Sequence, residues 1–160
     1  MKRLTITAQA DRELVMERIF KAPRQLVFDA YTKPEFIRRW LLGPDGWSMP
    51  VCEVDLRPGG KYRYVWRNDE SGQEMGAGGV YREIDPPGRL VNTERFDDPW
   101  YPGEALLTTT FTEKDSTTEL RVTILYESTE ARDTVLNSPM ESGVSASYER
   151  LDSILAELPA

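Results

Sequence analysis

The chain of 160 residues contains no histidine and a single cysteine. Without histidine there is no Ser-His-Asp triad, no imidazole-ligated zinc or haem, and no imidazole proton shuttle at neutral pH. The lone cysteine, Cys52, excludes an internal disulfide and suits a reducing compartment. Its flanks, Val51 and Val54, mark it as a compact apolar residue of a strand. Long hydrophobic runs are missing too. No stretch approaches the roughly 20 apolar residues that span a bilayer, and Lys2 and Arg3 lead into no apolar segment of a secretion signal. Cytoplasmic residence without membrane insertion is therefore expected. Positive charge is also scarce: 20 Lys and Arg stand against 27 Asp and Glu, a net charge of −7. The one local basic cluster is the pair Arg38-Arg39. Nucleic acid, which is held by grouped cations, is not expected as a partner.

The length suits one domain with one sizeable core. No period of about 20–50 residues repeats and no low-complexity linker divides the chain. Residues 1–12 are expected to form an N-terminal extension and residues 13–158 a single domain. Turn-forming clusters recur at strand-like spacing: Pro58-Gly59-Gly60, Asp69 to Gly72, Pro86-Pro87-Gly88, Pro99 to Gly103, and Lys114-Asp115-Ser116. Between them lie runs rich in Val, Thr, Tyr, Phe and Trp, which suit a pleated surface.

Alternation within those runs separates two faces. Tyr62, Tyr64 and Trp66 oppose Lys61, Arg63 and Arg67, while Leu120, Val122, Ile124 and Tyr126 oppose Arg121 and Thr123. Leu107, Thr109 and Phe111 form a further inward set, as do Leu90, Asn92, Glu94 and Phe96. One buried and one wet face is the pattern of an antiparallel sheet. Gly76, Gly78 and Gly79 lack the Gly-Lys-Ser/Thr of a phosphate loop and mark a bulge or sharp curvature instead.

Helical spacing appears in three places. Pro23 and Pro34 open two short helices early in the chain, with Val27, Phe28, Tyr31, then Phe36, Ile37 and Trp40, as their apolar faces. Near the C-terminus, Ser138-Pro139-Met140-Glu141 reads as a capping box that starts a long helix, preceded by a shorter helix over Thr129 to Asn137. Met140, Val144, Tyr148, Leu151, Leu155 and Leu158 then fall within an arc of about 80°, a single stripe. Strands and helices segregated in this way predict an α+β fold rather than a doubly wound parallel sheet.

The stripe is uneven in volume. Leu151, Ile154, Leu155 and Leu158 fill its second half, whereas its first half carries Gly143 and Ser147 beside Met140 and Val144. Small residues there either let the helix sit close or leave a hole. The inward sets include Tyr62, Tyr64, Asn92, Glu94, Thr109 and Tyr126, groups that a dry core would not choose. An unpaired buried carboxylate costs several kcal/mol, so Glu94 should be paired by Arg63, Arg82 or Arg95, touch water, or be protonated. Trp47 and Trp100, in loop-like stretches, either guard an entrance or cover core edges. A polar-lined apolar cavity is the usual form of a small-molecule site. The expected lining comprises Trp40, Tyr62, Tyr64, Trp66, Asn92, Glu94, Thr109, Tyr126, Met140, Gly143, Val144 and Ser147. No catalytic set, cofactor motif or metal cluster is legible; any acid–base work would fall to Glu94, Glu83 or a tyrosine.

Four segments carry a family resemblance: Ala22 to Phe28 with Trp40; Cys52 to Gly60; Gly79 to Ile84 with Pro86 to Leu90; and Ala131-Arg132-Asp133 through Tyr148-Glu149-Arg150-Leu151. On these the chain resembles the SRPBCC superfamily of START and Bet v 1-like proteins, in the branch similar to the C-terminal domain of the heat-shock-protein-90 ATPase activator. The resemblance implies a helix-grip fold, a curved antiparallel sheet of about seven strands around a long C-terminal helix. It implies a deep cavity for lipids, sterols or polyketides, and cyclase or other enzymatic activity in a minority of members. Asn92, where an aromatic is common in the branch, and Leu41-Leu42, where Trp-Gly usually follows the tryptophan, imply a differently shaped or more polar pocket. The expected function is a non-catalytic carrier or sensor of a small, largely hydrophobic or amphipathic ligand. The alternatives are a cyclase- or hydrolase-type enzyme using Glu94, and a protein-binding module with a chaperone partner in stress response. Uncovered edge strands leave a homodimer open.

Overall fold

The period-two alternation becomes one antiparallel sheet in the computed structural model, which describes residues 4–159. Among these residues the order is β1 (Thr5–Gln9), β2 (Glu13–Phe20), α1 (Arg24–Thr32), α2 (Pro34–Trp40), β3 (Trp47–Val54), β4 (Lys61–Asn68), β5 (Glu74–Asp85), β6 (Arg89–Phe96), β7 (Ala105–Lys114), β8 (Thr117–Leu125), α3 (Thr129–Leu136) and α4 (Met140–Glu157). The eight described strands run β1-β2-β8-β7-β6-β5-β4-β3 across the sheet. The sheet curves around α4, giving the α+β helix-grip arrangement.

The strand number differs from the expected seven because part of the supposed N-terminal extension joins the sheet. β1 pairs with β2 in the register Ile6↔Met16. Thr5, Thr7, Ala8 and Gln9 are exposed and only Ile6 is partly covered. A strand held by backbone pairing with so little apolar burial leaves almost no hydrophobic pattern to read. Residues 1–3 of that extension lie outside the described residues.

Local starts and kinks also shift. Pro34 is the first residue of α2, but Pro23 sits at the N-cap of α1. The capping box at α4 does not form: Pro139 occupies the N-cap, and no side chain caps the helix. The Ser138 hydroxyl donates back to Val135 O at 2.6 Å, the end of α3 having carbonyls to satisfy. The side-chain cap belongs to α3, where Ser128 Oγ accepts from Ala131 N at 3.0 Å. Trp47 begins β3 and is not a loop residue. The β5–β6 register shift falls between Tyr81 and Glu83, beyond the glycines expected to mark it. Gly78 and Gly79 lie instead where neighbouring strands crowd the curved sheet; a Cβ there would strike the backbone carbonyls of Tyr62 and Thr93.

The core sits under the second half of α4. Leu151, Ile154 and Leu155 pack with Phe20, Leu14 and Leu120 of the sheet. Phe20 meets the Tyr148 ring edge-on at 5.4 Å. Full burial of a leucine such as Leu151 stabilises by about 1.5–3 kcal/mol. Trp40 is anchored by its indole N–H, which donates to Ala30 O at 2.9 Å. The guanidinium of Arg18, on β2, meets the Asp152 carboxylate of α4 through contacts of 3.0 and 2.7 Å. These ties hold one end of α4 firmly to the sheet and leave its beginning over the opposite end of the concave face.

Candidate functional site

Under the first half of α4 the aliphatic filling stops and a cavity of about 490 Å³ opens against the concave face. Every lining position expected from sequence faces it. Trp40 comes from α2, Tyr62, Tyr64 and Trp66 from β4, Asn92 and Glu94 from β6, Thr109 from β7, Tyr126 from just beyond β8, and Met140, Gly143, Val144 and Ser147 from α4. Strand alternation places the sheet residues there, because residues two apart share a face.

The two small residues of α4 do more than leave space. Ser147 Oγ accepts a hydrogen bond from Gly43 N at 2.9 Å. A Cβ at Gly143 would come to 3.4 Å from Pro44 Cδ. The segment linking α2 to β3 therefore settles against α4 at the cavity wall, and Trp66 Nε1 donates to Leu41 O at 2.7 Å to hold it from the sheet side. Close approach and open volume coexist along one helix.

Several wall residues were not foreseen. Tyr81 of β5, Tyr31 of α1, Tyr148 of α4 and Tyr101 of the β6–β7 connection all contribute. Tyr101 follows Trp100 in a proline-flanked turn, where no periodicity reveals direction. Trp47 and Trp100 both line the cavity, and Trp100 is 40% exposed, as a residue at a rim would be. Ring contacts run around the wall: Tyr62 lies 5.0 Å from Tyr64 and 5.3 Å from Tyr81, and Tyr101 lies 5.2 Å from Tyr126.

Polar groups on this wall divide into spent and unspent. Tyr31 and Tyr148 share a hydrogen bond of 2.8 Å between their hydroxyls. Tyr62 donates its hydroxyl proton to Thr93 O. Asn92 Nδ2 donates to the Tyr62 hydroxyl at 3.1 Å and to Thr93 O at 3.3 Å. By contrast, the buried Tyr101 hydroxyl has no partner among the described residues. Glu94 makes no hydrogen bond or ion pair among the described residues; of the three arginines expected as partners, Arg63 is committed to Asp97. Arg82 and Arg95 are exposed. Burial without compensation pushes the Glu94 carboxyl from 4.5 up to about 7. Burial also raises the tyrosine hydroxyls, with the Glu94 charge adding to the effect at Tyr62, Tyr101 and Tyr126.

Glu94 is the one ionisable carboxyl on the described wall, and no lysine or arginine lines it. Among the described residues no group of three or more His, Cys, Asp or Glu could hold a metal ion. Cys52 is buried and its thiol is pushed up to about 11, chiefly by burial, so it is not a poised nucleophile. No described helix is long and apolar enough to cross a membrane.

The fold has close relatives among solved structures. A Rhodobacter sphaeroides protein is 31% identical, with a TM-score of 0.90 over 98% of this chain and 100% of that one. A Chromobacterium violaceum protein is 26% identical, with a TM-score of 0.76 over 91% and 98% of the two chains. One from Mycobacterium smegmatis, at 23% identity and a TM-score of 0.84 over 99% and 100%, shares the fold. No curated protein matches significantly. The family model described as Activator of Hsp90 ATPase homolog 1-like protein matches residues 21–156, nearly the whole domain. The chain belongs to the Activator of Hsp90 ATPase homolog 1-like family, within the SRPBCC superfamily.

Proposed function

We propose that this protein binds a small, largely hydrophobic molecule in the cavity between the sheet and the first half of α4, as a carrier or sensor. The observation that carries this reading is the cavity itself, about 490 Å³ walled mainly by aromatic and aliphatic side chains. That volume lies within the range of small-molecule sites. Apolar burial would contribute most of the affinity, at about 25 cal/mol per Å², with Glu94, Asn92 and Tyr101 orienting a polar end. Polar atoms left without partners inside a wall are costly in the empty protein, which favours an occupant that satisfies them.

All the chain's tryptophans, Trp40, Trp47, Trp66 and Trp100, line the cavity, so indole emission is a direct reporter. A panel of aromatic metabolites, sterols and medium-chain lipids should include members that shift this emission and raise Tm in proportion to concentration. Native mass spectrometry should recover the same species at one per chain. No emission change, no Tm shift and no retained mass across the panel would remove the reading. An enzymatic reading is favoured by one observation, the Glu94 carboxyl on the cavity wall without a partner among the described residues, which burial pushes up to about 7, toward the range where general acids and bases work best. It requires that Glu94→Gln abolish turnover of a bound compound without weakening its binding.

A further inference from the structure

We propose that the ligand carries a protonated amine, or an equivalent cationic hydrogen-bond donor, on an aromatic or aliphatic body, and that Glu94 and Asn92 receive it. This deepens the binding reading and rests on it. The argument begins with the groups the wall has left unspent. Asn92 uses Nδ2 on the Tyr62 hydroxyl and Thr93 O, so its Oδ1 is the end without a partner among the described residues. Tyr62 has already given its proton to Thr93 O. Glu94 accepts no hydrogen bond among the described residues. What remains on this part of the wall is a pair of side chains on one strand, two residues apart and facing the same way, that offer acceptors. A ligand that satisfies them must donate.

Charge points in the same direction. The groups facing Glu94 from the neighbouring elements are tyrosines: Tyr62 and Tyr64 of β4, Tyr101 of the β6–β7 connection and Tyr126 beyond β8, all coupled to its charge. Arg95, beside it on β6, is exposed on the other side of the strand. Aromatic faces are electron-rich and attract a cation; none of these neighbours can neutralise a carboxylate. An anionic ligand would meet Glu94 with no cation to offset the repulsion. A neutral alcohol would satisfy one acceptor and leave the charge desolvated. An ammonium group satisfies the acceptors, neutralises the carboxylate and sits among tyrosine rings. The Tyr101 hydroxyl, buried and without a partner among the described residues, is a further contact that such a polar end would complete.

The test uses naphthylmethylamine, naphthylmethanol and naphthoate, which share a body and differ in the polar end, titrated calorimetrically into the intact protein. At about pH 8 the amine should bind roughly tenfold or more tighter than the alcohol, as expected for a charge-assisted over a neutral hydrogen bond, and naphthoate should be rejected. Lowering the pH to about 6 protonates Glu94, so the amine should weaken roughly tenfold while the alcohol stays constant. Glu94→Gln should erase both the preference and the pH dependence. Asn92→Leu should weaken the amine more than the alcohol, and the wild-type pH profile decides by itself if a variant does not fold. Equal affinity for amine and alcohol, tight binding of naphthoate, or an unchanged preference in Glu94→Gln overturns the assignment and leaves the cavity reading standing. If none of the three binds and tryptophan emission does not move for any compound of the wider panel, the cavity reading falls with it.

Discussion

Replacing Glu94 by Gln should stabilise the ligand-free protein above neutral pH and leave it unchanged in acid. In the folded chain the carboxyl titrates at about 7, against 4.5 without burial. Below about pH 4.5 both folded and unfolded chains hold the proton, and the carboxyl contributes nothing to pH dependence. Between about 4.5 and 7 the unfolded chain ionises while the folded one stays protonated, so wild-type stability falls as pH rises. Above about 7 both are ionised and the full cost is present. At about 1.4 kcal/mol per pKa unit the cost is on the order of 3 kcal/mol. This is an upper figure, because Glu94 keeps part of its surface open to the cavity, where solvent would screen it. For a chain of this length the Tm gain of Glu94→Gln would reach up to about 10 °C at about pH 8. The assay is urea or thermal denaturation of both proteins from about pH 4.5 to 8.5, read as the difference between them so that other carboxylates cancel. Parallel curves for wild type and variant over the whole range would refute the reasoning: Glu94 would then be solvated or paired, and its burial would not be uncompensated.

Glycine positions offer a paired test. Gly79→Ala drives a methyl into the Thr93 carbonyl and should cost about 1–3 kcal/mol or more, whereas Gly143→Ala meets only ordinary contact with Pro44 and should be neutral or stabilising by up to about 1 kcal/mol; urea midpoints compare them. Leu151→Ala, at a side chain with 0% exposure, should lose about 2–5 kcal/mol in the same assay without changing the lining of the cavity. Tyr31→Phe removes the hydroxyl that Tyr148 shares at 2.8 Å and should cost about 1 kcal/mol, seen as a small fall in Tm.

Much of the cavity lining was legible because a strand assigns faces locally. Once Tyr62, Tyr64 and Trp66 share a side, and Leu90, Asn92, Glu94 and Phe96 share another strand's side, any concave sheet must present them together. The same local rule put Met140, Gly143, Val144 and Ser147 on one face of α4 and located the change from bulky to small side chains along it. The absence of histidine and of clustered cations likewise limited the chemistry before any fold was known.

Local rules end where a residue's position depends on distant neighbours. β1 exists because β2 offers it a free edge, not because its own residues are apolar. Ser138 turns its hydroxyl back to Val135 O at the end of α3, and Pro139 takes the N-cap of α4. Tyr101 and the Leu41 to Pro44 segment reach the cavity through turns that carry no period. The solitude of Glu94 is the clearest case: which arginines face it is a matter of tertiary arrangement, and of the three candidates Arg63 pairs with Asp97 while Arg82 and Arg95 are exposed. Sequence alone determined which side chains look inward, because that follows from backbone geometry two or four residues at a time. Only the tertiary structure decided which of them found partners, because hydrogen bonds and charges are satisfied by whatever the rest of the chain brings within reach.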